Sequence, residues 1–159
     1  MCWAGSNGLH DINGKRIGPA PVSMSFLVYW DADSSRELLD GIHIDKYNST
    51  RLLTAEGCLS NNGTKSTPGL SADLLGDWRE EVVFRTTDNK RLRIYTTTIP
   101  TELRFYTLMH DPQYRLSVAW QNVGYNQPPH TGFYMGKGMK QPSKPNIFVL
   151  SIKKNSLFK

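Results

Sequence analysis

Two stretches of this chain repeat one another at a spacing of 44 residues, and nothing else in the sequence constrains the fold as strongly. When DADSSRELL (31–39) is laid on LLGDWREEVV (74–83), Asp33 falls on Asp77, Arg36 on Glu80 and Glu37 on Glu81. The apolar pair Leu38–Leu39 falls on Val82–Val83. Each copy places carboxylates at alternate positions just ahead of an apolar strand. Repeats of roughly 40–50 residues made of four strands are the mark of β-propeller blades.

The rest of the pattern is β as well. MSFLVYW (24–30), RELLDGIHI (36–44), RLLTAEG (51–57), EVVFRTT (81–87), RLRIYTTTI (91–99), RLSVAW (115–120) and NIFVLSI (146–152) are short runs rich in β-branched and aromatic residues. Gly, Asn, Asp and Pro separate them. ELRFYTLMH (102–110) is ambiguous between helix and strand. The expectation is an all-β chain of propeller blades. With 159 residues it holds about three of them, fewer than a closed propeller needs. The chain therefore reads as a single domain, 1–159, cut from a larger ring. Its open edges would pair with missing blades or with another copy.

Composition narrows the class without choosing a function. Hydrophobic residues make up 38% and charged residues 21%, the balance of a globular protein rather than a disordered one. No apolar run approaches the ~20 residues of a membrane helix. The opening MCWAGSNGLHDINGK has no basic end followed by an apolar stretch, so no signal peptide is expected there. Cys2 and Cys58 have no metal-ligand spacing. The net charge of +5 suits a polyanionic partner, sugar or nucleic acid. No basic stripe or RNA-binding motif accompanies it, which argues against nucleic acid.

Three stretches carry candidate chemistry. The first is the pair of repeat turns, with Asp31, Asp33 and Glu37 in one and Asp73, Asp77 and Glu81 in the other. Oxygen ligands two residues apart, closed by an acid four further on, suit a hard cation such as Ca²⁺, although the last acid comes too early for an EF-hand. The alternative is two acidic turns before strands. The spacing favours calcium at the second turn over the first, where Tyr29 stands in place of the leading acid. The second stretch is WQNVGYNQPPHTGFYMG (120–136), where Asn122, the Gly124 carbonyl and Asn126 are possible cation ligands around Tyr125. Alternatively Asn126 hydrogen-bonds a sugar; equally, those Asn side chains satisfy their own backbone. The third is LSNNGTKSTPGL (59–70), far richer in hydrogen-bonding side chains than a surface turn requires. His10, His43, His110 and His130 are scattered without metal-binding pairing, and nucleophile-elbow, CxxC and Walker-type motifs are absent.

Taken together, WDADSSRELLDG, SNNGTKSTPGLSADLLGDWREEVVFRTTDN and LRIYTTTIPTELRFYTLMHDPQYRLSVAWQNVGYNQPPHTGFYMG resemble the C-terminal portion of the rhamnogalacturonan lyases of polysaccharide lyase family eleven, from about Trp3 to about Pro145. The resemblance implies a calcium-rich, eight-bladed β-propeller that cleaves the rhamnogalacturonan I backbone of pectin. The bond is rhamnose-α-1,4-galacturonate, broken by β-elimination. The C5 proton of a uronate is removable only when the carboxylate charge is offset, because the enediolate puts charge on the same oxygens. By resemblance, Asn62, Gly63 and Thr64 hold the sugar hydroxyls and Lys65 faces the galacturonate carboxylate or C5. Tyr125 stacks on rhamnose. Lys65 fits an electrostatic stabiliser better than a base, because an unperturbed lysine is protonated at neutral pH. Export of the intact enzyme, to the periplasm or beyond the cell, is also implied.

Ser25 and Ala32 depart from the Asn and Gly usual in the family, so Ala32 is expected to strain the first acidic turn. The family's cleft also draws on earlier blades that this chain lacks, so the isolated chain is expected to bind substrate poorly and to be inactive. A non-catalytic, calcium-stabilised carbohydrate-binding remnant is the alternative. An adhesion-type calcium propeller leaves SNNGTK and YNQPPH without a role.

Overall fold

The 44-residue repeat persists as strand pairing. Strand β4 (Phe26–Val28) pairs antiparallel with β5 (Glu37–Asp40) in the register Phe26–Leu39, Leu27–Leu38 and Val28–Glu37. Strand β9 (Leu70–Ala72) pairs with β10 (Glu81–Thr86) in the register Leu70–Val83, Ser71–Val82 and Ala72–Glu81. Every partner in the second hairpin lies 44 residues after its counterpart in the first. The computed structural model describes residues 3–5, 7–11, 13–23, 25–47, 49–123 and 126–149.

Those residues form three separate antiparallel sheets. The first holds β1 (Trp3–Gly5), β2 (Gly8–His10) and β3 (Arg16–Gly18). The second is an up-and-down ladder of β4, β5, β6 (His43–Asp45) and β7 (Arg51–Thr54). The third is centred on β10, with β11 (Leu92–Tyr95) on one edge and both β8 (Cys58–Leu59) and β9 on the other. The expectation of propeller blades is thereby overturned, because three separate sheets with no closed ring or barrel are what the described residues form. The β character of the chain does hold.

The third sheet departs from a simple ladder for a local reason. Leu59 and Leu70 are eleven residues apart, while their partners Arg85 and Val83 are two apart on β10. The edge strand is therefore broken by the excursion of residues 60–69, which is the polar stretch singled out above. Gly69 bridges back into the ladder with its N–H donated to the Val83 carbonyl at 2.8 Å. A Cβ there would sit 3.2 Å from that carbonyl oxygen, so glycine lets the two backbones meet.

Three strand expectations fail, the last of them in its described part. RELLDGIHI (36–44) is two strands, because Gly41, at φ +60°, turns the chain between Asp40 and its partner His43. RLSVAW (115–120) lies mostly in a helix, α1 (Pro112–Ala119). Asp111 caps it by accepting the Gln113 N–H at 3.3 Å, and Pro112 stands in its first turn. A single turn of 3₁₀-helix, Leu108–His110, precedes it. Residues 146–149 adopt no regular structure, and 150–152 lie outside the described residues.

Two apolar clusters fill the interior. Phe26, Val28, Trp30, Leu39 and Ile44 meet Ala55, Cys58, Val82 and Phe84 between the second and third sheets. Tyr29, Trp78, Leu108, Tyr114 and Met135 form the other, beneath α1. Fully burying a large apolar side chain is worth about 1.5–3 kcal/mol, so these clusters fix the frame on which the loops are mounted.

Candidate functional site

The excursion at 60–69 is built around Asn62. Its Oδ1 accepts the Thr64 N–H at 3.0 Å, the Thr64 hydroxyl at 3.0 Å and the Lys65 N–H at 3.1 Å. Across the base of the loop, Asn61 N–H donates to the Thr67 carbonyl and Ser66 N–H to the Asn62 carbonyl, both at 2.7 Å. Ser66 takes a left-handed φ of +51°, and its carbonyl accepts the Gly41 N–H from the second sheet at 2.8 Å. The loop is thus a self-bonded unit rather than a slack connection. Gly63 and Thr64 are exposed at its tip. The Lys65 ammonium has no hydrogen-bond or ion-pair partner among the described residues, so a charge-bearing group stands ready on a fixed frame.

Where this loop rejoins the ladder, amide side chains meet it. The Asn126 Nδ2 group donates to the Pro68 carbonyl at 2.9 Å, and Asn122 Nδ2 to the Gly69 carbonyl at 2.8 Å. Asn126 also donates to Asn122 Oδ1 at 3.0 Å. Gln121 spans the Ser71 backbone, accepting its N–H at 2.7 Å and donating to its carbonyl at 2.8 Å. The sequence suggested Asn122 and Asn126 as cation ligands with Gly124. The structure engages both amides with protein backbone and with each other, while Gly124 and Tyr125 lie outside the described residues. Gln121 was not singled out, although its place beside Asn122 was a signal of the same kind.

The two acidic turns differ sharply. In the first, Asp31, Asp33 and Glu37 bring carboxylate oxygens within 4.8 Å of one another. Asp31 and Glu37 are buried, at 4% and 5% exposure, and Asp33 is exposed. Lys46, which sequence reasoning missed, places its ammonium against Asp31 and 3.9 Å from Glu37. Burial and then the neighbouring Asp31 charge push the Glu37 carboxyl up to about 7. Burial pushes Asp31 up too, but the Asp33 N–H and Lys46 outweigh it and hold the group below the ordinary carboxylate range.

In the second turn the carboxylates are taken by protein donors. Asp73 accepts the Gly76 N–H at 2.8 Å, the Thr107 hydroxyl at 2.7 Å and the Leu108 N–H at 2.7 Å. Glu81 accepts the Leu74 and Leu75 N–H groups and the Thr96 hydroxyl, at 2.8, 3.0 and 2.9 Å. Asp77 pairs with Arg79 at 2.6 Å. Among the described residues, the oxygen cluster fit for a metal ion is the first turn, the reverse of the order the sequence suggested. Ala32 also escapes the expected strain. It is absent from the left-handed positions, whereas its counterpart Gly76 has φ +80°.

A buried polar group joins the two repeats. Glu80, fully buried, accepts the Tyr114 hydroxyl at 2.7 Å and the Tyr29 N–H at 2.8 Å, and lies 3.9 Å from the Arg36 guanidinium. Arg36 stacks over the Tyr29 ring, 4.4 Å from its centroid, and donates to the Pro129 carbonyl. Equivalent repeat positions, Arg36 and Glu80, thus face one another. Burial raises the Glu80 carboxyl while Arg36 draws it down.

The 60–69 loop thus presents polar side chains, and a lysine without a partner among the described residues, on a β frame. The chain belongs to the family described as rhamnogalacturonan lyase family 11, C-terminal domain, which matches residues 1–145. It is 57% identical over 153 residues to the rhamnogalacturonan endolyase YesW of Bacillus subtilis (strain 168), covering 92% of this chain and 24% of that one. It is 50% identical over 162 residues to the rhamnogalacturonan exolyase YesX of the same organism, covering 93% of this chain and 26% of that one. A solved structure of YesW superposes with a TM-score of 0.86 over 93% of this chain and 26% of its own. One of a Bacillus licheniformis rhamnogalacturonan lyase, 60% identical, also gives 0.86, over 92% of this chain and 26% of its own. The chain spans about a quarter of the length of these relatives.

Proposed function

We propose that this chain is the C-terminal, sugar-contacting part of a rhamnogalacturonan lyase, which cleaves the rhamnose-α-1,4-galacturonate bond of the pectic backbone by β-elimination. The observation that carries this reading is the 60–69 loop, which offers a lysine with no protein partner among the described residues on a hydrogen-bonded frame. Lys65 faces the galacturonate carboxylate and stabilises the charge that builds on its oxygens as the C5 proton leaves. The Asn62 amide, the Gly63 backbone and the Thr64 hydroxyl bind sugar hydroxyls. The Asn62 carbonyl oxygen keeps the loop folded, which leaves its NH₂ group for substrate. Tyr125 stacks on the neighbouring rhamnose.

Calcium fits the first acidic turn, whose donors are all carboxylate oxygens, the ligand type of a hard cation. Asp31, Asp33 and Glu37 would hold it, and bound there it would supply charge balance for a turn that otherwise relies on Lys46. The intact enzyme acts on a polymer outside the cytoplasm. The isolated chain is inactive, because the remaining walls of the cleft come from the part of the protein that the relatives carry and this chain does not.

The test is a chimera in which this chain replaces the matching quarter of YesW. Lyase activity, followed by the ultraviolet absorbance of the unsaturated product, is expected in the chimera. The Lys65→Ala variant should lose at least about a hundredfold in kcat, the scale of one preorganised electrostatic contact. Full activity of that variant would exclude Lys65 from the chemistry. Strong activity of the isolated chain would overturn the fragment reading.

A further inference from the structure

The segment 68–71 rejoins the ladder with one edge on β10. Its other edge presents the carbonyls of Pro68, Gly69 and Ser71 and the N–H of Ser71. A neighbouring strand would normally satisfy such a row. Here three amide side chains from the stretch after α1 do so instead: Gln121 on Ser71, Asn122 on Gly69 and Asn126 on Pro68. The Asn126–Asn122 hydrogen bond at 3.0 Å ties two of them together.

We infer that the Gln121, Asn122 and Asn126 side chains form a latch that fixes the root of the Lys65 loop and so positions Lys65 for catalysis. The catalytic half of this inference rests on the lyase reading above. Asn126 is 3% exposed, and its Oδ1 is buried without a partner among the described residues, so what the side chain supplies there is its donor group. A buried acceptor left unmatched is unfavourable, and the cost is tolerated where the NH₂ group bonds to the root of the loop. The loop is already rigid within itself through Asn62. Its orientation therefore depends on how its root is held, and the latch together with the Gly41–Ser66 hydrogen bond holds it. These are positioning residues, acting through Lys65.

Two measurements test the inference. The first is amide hydrogen exchange in the chain alone, for Asn122→Asp and Asn126→Ala. Asn122 is exposed, so its variant should fold normally. Exchange at Asn61, Lys65 and Ser66 is expected to quicken at least about tenfold in both variants, while β5 and β6 keep the parent rates. The second is kinetics in the YesW chimera. Asn122→Asp is expected to lower kcat at least about tenfold with an unchanged melting midpoint, because small misplacements of a catalytic group are costly. That loss should vanish in a Lys65→Ala background, as expected of residues that act through one another. Unchanged loop exchange in both variants overturns the latch. A loss that persists in full without Lys65 overturns the positioning role and leaves a merely structural one. An inactive parent chimera, or a fully active Lys65→Ala chimera, overturns the lyase reading and the catalytic half with it, while the exchange rates still decide whether the latch exists.

Discussion

In the turn at 31–37 the carboxylates lean toward one another and toward Lys46. In the turn at 73–81, which has the same strand register 44 residues on, each one faces a different protein donor. The second turn also carries Trp78 with φ +71°, its ring buried against Tyr29 and Phe105. Its counterpart in the first turn is Ser34, which is not left-handed. A large aromatic residue rarely adopts that conformation. Packing of the ring beneath α1 offsets the cost, and the turn is drawn toward Thr107 and Leu108. The lesson is that carboxylate spacing supplies candidates, and the groups packed above them choose between binding a cation and binding the protein itself.

The largest test of that contrast is removal of the leading acid from each turn. Asp73→Ala leaves three donors without their acceptor, one of them the buried Leu108 N–H, and should cost about 3–5 kcal/mol in denaturant unfolding. Asp31→Ala, without divalent cation, should cost about 1 kcal/mol, because Lys46 is partly exposed and can turn to water. Equal losses would erase the distinction between the turns.

Next in size is the response to calcium. At a hundredfold excess over Kd, binding to the folded state adds about 2.7 kcal/mol, visible as a raised melting midpoint that a chelator reverses. The double variant Asp31→Asn, Glu37→Gln is expected to abolish that rise. If the rise persists in it, the cation sits elsewhere, and the comparison must be redrawn.

A pH titration of the cation-free chain sharpens the same point. Glu37 holds its proton to about pH 7 in the folded chain, above the ordinary value near 4.5 that the unfolded chain keeps. The folded state therefore binds more protons between those values. Stability is highest below pH 4.5 from this group and declines as pH rises through 7. Glu37→Gln should flatten that decline, and a parent chain whose stability does not fall across this window would contradict the crowding described for the first turn.

The smallest effect concerns the turn backbones. Gly76→Ala should cost about 1 kcal/mol, the penalty for a side chain at positive φ, since its Cβ would meet nothing closer than 3.7 Å. Ala32→Gly should cost about 0.5–1 kcal/mol through the added freedom of the unfolded chain. A stabilising Ala32→Gly would restore the idea that Ala32 strains its turn.

Much of this was legible in residues alone. The repeat was visible in Asp33, Glu37, Asp77 and Glu81, and its hairpins pair at that offset. The polar stretch at 59–70 stood out by composition and proved to be an ordered excursion. The helix at 112–119 was not legible in RLSVAW, where Leu116 and Val118 suggest a strand; its signal is the Asp111–Pro112 pair that starts it. In RELLDGIHI the apolar residues on either side mask the turn at Gly41.

What the sequence determined by itself was mostly local: the β character of most segments, the polar turn-like stretches, and which family the motifs resemble. Those features depend on neighbours a few residues apart. Long-range contacts decided the rest. Lys46 reaches Asp31 across 15 residues, Asp73 meets Leu108 across 35, and Asn126 meets Pro68 across 58. Each pairing exists because two sheets and a helix close over shared apolar clusters, and burial then drives most nearby polar groups to find a partner. Which partner each finds is set by the packing, and so only the tertiary structure could separate the two acidic turns or show three amides bonded to the backbone of Pro68, Gly69 and Ser71.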